Sequence, residues 1–107
     1  MDQDRKHESI AARLPSLEDS LQLLRARGQS VLTDFLSTEL EMGFTLLNTA
    51  KLEKDTDPDH HKAAIAKART AVDAVQRFVD RLQNPITRMA IQQRADQLEA
   101  AIEECSK

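Results

Sequence analysis

The chain has no tryptophan, no tyrosine and only three phenylalanines. Aromatic side chains anchor most interface hot spots and stack on unpaired bases, so a single-strand nucleic-acid binder is not expected. A net charge of −3 gives no general attraction to phosphate either. Two glycines and three prolines leave few residues for the tight turns of a sheet-rich fold. Cys105 is the single cysteine, which precludes an internal disulfide and fits a reducing compartment. No apolar run approaches the roughly 20 residues needed to cross a bilayer. The polar start Met1-Asp2-Gln3-Asp4-Arg5-Lys6 has no signal-peptide core behind it, so no membrane association and a cytoplasmic location are expected. There is no phosphate-cradling glycine loop and no serine in a strand–turn–helix context, so neither enzyme activity nor a cofactor is expected.

What the chain does carry is helical periodicity. It is 40% hydrophobic and 31% charged, enough apolar material for a core and too much for a disordered segment. Over residues 59–82, Ile65, Ala68, Val72, Val75, Val79 and Leu82 recur at alternating steps of three and four. That is the seam spacing of helices packed at a shallow angle. Ala63, Ala64, Ala66, Ala68 and Ala71 keep the start of this helix small, and alanine is the best helix former. Asp57 or Asp59 can cap its first turn, where Pro58 loses no hydrogen bond.

A preceding helix over 31–54 places Leu32, Phe35, Leu36, Leu40, Gly43, Leu47 and Ala50 along one face. Met42, Phe44 and Leu46 extend the apolar surface beyond one stripe, so contact with neighbours on two sides is expected. A glycine inside a helix costs about 0.5–1 kcal/mol relative to alanine, so Gly43 signals close packing, expected against the alanine-rich start of the next helix. Asp55-Thr56-Asp57-Pro58 turns the corner between the two. Residues 31–58 hold two lysines against six acids and residues 59–84 five basic residues against three acids, a modest complementarity.

On either side of this hairpin the pattern continues. Asn84-Pro85 ends the second arm, because the residue before proline is pushed out of helical geometry. A last helix over 86–104 follows, with Ile91, Ala95, Leu98, Ile102 and Cys105 at seam spacing and Met89, Ala90 and Ala101 beside them. Near the amino terminus, Ser16-Leu17-Glu18-Asp19 after Pro15 forms a capping-box-like start. Leu17, Leu21 and Leu24 then share one face with Leu23 beside it. Gly28-Gln29-Ser30 interrupts the pattern, and the sequence leaves open whether it breaks the helix or lies within one long rod. Residues 1–15, with Ile10, Ala11 and Leu14 as their apolar content, read as a frayed segment. The expected fold is all-α: an antiparallel up-down bundle of three long helices over residues 16–107, with an additional amino-terminal helix left open.

Asp57, His60 and His61 form the only histidine–carboxylate cluster, and they are the alternative functional candidates, for metal binding or phosphotransfer. Adjacent helical histidines diverge by about 100°, which disfavours a shared ion. Histidine phosphotransfer domains resemble one another around a histidine followed by lysine-glycine; here His61-Lys62 runs into Ala63-Ala64. Glu39 and Glu41 lie on different helical faces and do not converge as an acid/base pair. Arg69, Arg77, Arg81, Arg88 and Arg94 lack interleaved aromatics and read as a solvated face. No metal ligand set and no catalytic residue is expected.

Met42-Gly43-x-x-Leu46 resembles the leucine–glycine–x–x–tyrosine step of tetratricopeptide-type repeats, and Ala64, Ala68 and Ala71 resemble the small positions of that family's second helix. With a third helix following, the chain is also similar to the three-helix MIT domain. Both families bind a peptide or helix in a groove, so the resemblance implies a non-catalytic protein-interaction module. The apolar residues that a three-helix core need not consume point the same way: Leu21, Leu23, Leu24, Met42, Phe44 and Leu46 are the expected surface for a protein partner or a second copy.

Overall fold

A computed structural model describes residues 17–107, all in helices and their short connections. The expectations for residues 1–15 and for a cap at Ser16 lie outside the described residues. Helix α1 spans Leu17–Glu53, α2 Pro58–Phe78 and α3 Pro85–Ser106, with a single 3-10 turn at Val79–Arg81 after α2. The described residues fall into two units, 17–30 and 31–107.

The question left open at Gly28 is answered by α1, which passes through it without interruption. Neither glycine adopts a positive φ. One glycine among leucine, glutamine, arginine and alanine lowers helix stability by about 1 kcal/mol without ending the helix. Ser30 and Thr33 are accordingly helix interior.

The remaining boundaries follow the expected chemistry. Asp57 caps α2, its carboxylate accepting from the His60 amide at 3.2 Å, and Pro58 occupies the first turn. Asn84 caps α3, its side-chain oxygen accepting from the amides of Ile86 and Thr87 at 2.9 and 3.1 Å. Each cap satisfies donors that have no carbonyl partner inside the helix. The regular part of α2 closes at Phe78, four residues before the expected end, and the 3-10 turn carries Val79 and Leu82 into the core.

Residues 31–107 form an antiparallel up-down bundle. His61 meets Ala50 near the corner and Phe35 meets Phe78 at the far end, so α2 runs against α1. Arg69–Glu103 and Gln76–Glu99 show the same reversal between α2 and α3. The core is built from the three seams: Leu36, Leu40, Leu47 and Ala50; Ile65, Ala68, Val72, Val75, Val79 and Leu82; Ile91, Ala95, Leu98, Ile102 and Cys105. Gly43 sits where all three helices meet. A Cβ there would stand 2.5 Å from Leu98 Cδ2 and 3.5 Å from Ala71 Cβ. The close approach expected at Gly43 is therefore present, with Leu98 of α3 as its nearer cause.

Candidate functional site: the outer face of α1

Of the six residues expected to form a partner surface, four are exposed: Leu21, Leu23, Leu24 and Met42. The other two correct the expectation. Phe44 and Leu46 are partly buried and pack against the core, because they flank the Leu40–Gly43–Leu47 seam closely enough to be covered by the neighbouring helices.

Two residues that spacing assigned to the core or left aside lie outside it. Phe35 is 42% exposed, its ring edge-on to Phe78 at a centroid separation of 6.3 Å, and Val31 is 67% exposed. Val31, Phe35, Thr38 and Met42 are separated by steps of four, three and four. They form a second stripe, one position removed from the buried one, on the same helix. Successive helical residues differ by about 100°, so two such stripes can coexist on one helix without sharing a face. The signal was present in the sequence, but Phe35 and Leu36 are neighbours, and spacing alone does not say which of two adjacent apolar residues turns inward. In the first unit, Leu17, Leu21 and Leu24 are exposed at the same four–three spacing.

Met42 also borders a groove between α1 and α2. Glu39, Met42 and Leu46 on one side and Lys67, Thr70 and Ala71 on the other enclose about 380 Å³. A wider depression of about 740 Å³ opens at the start of α3, where Ile86 and Met89 stand exposed beside Asp80 and Arg88. Met89 thus faces outward, away from the seam residues it was expected to accompany.

The histidine cluster separates into two environments. His61 Nδ1 lies 2.7 Å from the Ala50 carbonyl oxygen and ties α2 to α1. A carbonyl only accepts, so this geometry places the proton on Nδ1. His60 is exposed, its Nδ1 3.4 Å from Asp57 and 3.7 Å from Glu53. One Asp57 oxygen is committed to the α2 cap. Among the described residues no three histidine, cysteine, aspartate or glutamate side chains are grouped to hold a metal ion.

Three of the five arginines considered as a basic face have internal tasks. Arg69 donates to Glu103 at 2.9 Å and to Ser106, Arg88 donates to the Leu82 carbonyl, and Arg81 lies over the Phe78 ring at 4.8 Å. Cys105 is buried at its seam position. Among the described residues, no helix is long and apolar enough to cross a membrane. Comparison with protein-family models, with curated proteins and with solved structures gave no match to this chain.

Proposed function

We propose that the protein is a non-catalytic helical module whose outer α1 face binds another helix. One observation carries this reading. Residues 31–53 of α1 have two apolar stripes, the bundle covers one of them with Leu36, Leu40 and Leu47, and Val31, Phe35 and Met42 stand in solvent. An amphipathic partner laid along the second stripe would bury what these side chains still expose, and would so gain part of the about 1.5–3 kcal/mol that full burial of each is worth. The resemblance of the hairpin to tetratricopeptide-type and MIT modules supports the same reading.

The test is site-specific photo-crosslinking in cells, with a photoreactive residue placed in turn at Met42 and at the outward-facing Gln97. A discrete cross-linked product is expected from position 42 and none from position 97. Adding Val31→Lys, which leaves the bundle core untouched, should abolish the product. Equal labelling at both positions, or none at 42, would refute the assignment.

A further inference from the structure

We infer that the groove between α1 and α2 packs on the same groove of a second copy, across a two-fold axis perpendicular to the helices. The inference rests on the reading above and adds to it the identity of the partner. Every residue involved lies within 31–107. One rim of the groove has Glu39, Met42 and Leu46 and the other Lys67, Thr70 and Ala71. Phe35 lies against Phe78, Gly43 beside Ala71 and Ala50 against His61, so residue 39 is level with residue 74 and residue 46 with residue 67. Glu39 and Lys67 therefore stand on opposite rims, about 10 Å apart along the groove at the helical rise. Neither takes part in an ion pair among the described residues.

A two-fold axis crossing the groove at the level of Met42 and Thr70 removes that offset. Glu39 of each copy then lies across from Lys67 of the other, and symmetry makes the pair twice. Along α1, which lies antiparallel to its copy, the same register sets Met42 on Met42, Thr38 on Leu46 and Phe35 on Thr49. Along α2 it sets Thr70 on Thr70 and Lys67 beside Ala74, whose small side chain leaves room for the lysine stem. No acid of this face meets an acid, and no cation a cation. An axis running along the helices does the reverse. Each residue lining the groove then faces its own counterpart, Glu39 on Glu39 and Lys67 on Lys67. Charge therefore selects the crossing axis. The apolar surface lies on the same face, where Phe35 and Met42 are exposed and Leu46 and Ala74 half-buried. An unlike partner would need both charges at this spacing; a second copy supplies them by symmetry.

The experiment is sedimentation velocity on the full chain and on Glu39→Lys, Lys67→Glu and the double variant, with circular dichroism confirming unchanged helix content. The wild-type chain should form a dimer in a concentration-dependent way. Each single variant turns both opposite-charge pairs into like-charge pairs and should weaken the dimer by about tenfold. The double variant exchanges the charges and should recover wild-type association. Lys62→Glu makes the same charge change on the α3 side of α2 and should leave the dimer intact. A wild-type chain that stays monomeric at its highest soluble concentration would overturn the inference, as would equal weakening by Lys62→Glu. So would recovery in an equimolar mixture of the single variants but not in the double variant, the result expected of an axis along the helices. A discrete product from position 42 with a monomeric wild-type chain would leave the helix-binding face standing and remove only the second copy as its occupant.

Discussion

Residues 17–30 and residues 31–53 belong to one continuous helix, yet the same residue type has different surroundings in each. Leu36, Leu40 and Leu47 are buried, whereas Leu17, Leu21, Leu23 and Leu24 are all exposed. The contrast repeats in the two glycines. Gly43 leaves room for Leu98 and Ala71, while a Cβ at Gly28 would meet nothing within 4 Å. Helix formation depends on local propensity, which both halves have; a core depends on what lies opposite, which only the second half has among the described residues. An exposed leucine in such a helix contributes nothing to the bundle until something covers it.

Five substitutions would sharpen or break this contrast. The largest effect is expected from leucine truncation, measured by urea unfolding at a dilution where no self-association remains. Leu98→Ala should cost about 3 kcal/mol, because it empties a fully buried site beside Gly43. Leu24→Ala in the same assay should stay within about 0.5 kcal/mol. A comparable loss at both positions would mean that residues 17–30 share the core. The glycines come next and should differ in sign. Gly28→Ala should gain about 0.5–1 kcal/mol from helix propensity alone. Gly43→Ala makes the same local gain, but its methyl must displace Leu98, and overpacking of about 1–3 kcal/mol should leave a net loss of about 1 kcal/mol. Smallest of all should be Glu103→Gln. It breaks an ion pair with Arg69 that is largely in water, and less than about 0.5 kcal/mol is expected. A larger loss would show that charge pairing between α2 and α3 contributes to the bundle alongside its seams.

The bundle was legible in the sequence where local chemistry and periodicity agree. Asp57-Pro58 announces a cap and Asn84-Pro85 a break, and the seams of α2 and α3 are buried as spaced, while the capping role of Asn84 emerged from the structure. Legibility fell where a decision depends on a neighbour. Propensity cannot say whether Gly28 ends a helix, since its cost is smaller than the summed preference of the residues around it. Phe35 was read as core and Phe44 and Leu46 as surplus surface, because α1 has two stripes one residue apart and only the packed helices choose between them. The histidine pair was read correctly as divergent from the 100° rule, but the bond from His61 to the Ala50 carbonyl needed the fold. Of the residues expected at the surface, Leu21, Leu23, Leu24 and Met42 are exposed, while the exposure of Val31 and Phe35 emerged only once the first stripe was seen to be filled.

The core at Gly43 has a consequence for how the helices are kept in step. Among the described residues no polar or charged side chain is fully buried, so within the core itself no hydrogen bond resists sliding of one helix past another by seven residues; the His61–Ala50 bond and the ion pairs lie at its margin. Seams of evenly spaced aliphatic residues tolerate such a slip, since each layer resembles the next. The notch left by the missing side chain at residue 43 breaks that equivalence. It accepts Leu98 at one height along α1 and at no other, as a keyway admits its key. Shape at a single layer thus does in this bundle what a buried asparagine does in many coiled coils, and it does so without desolvating a polar group.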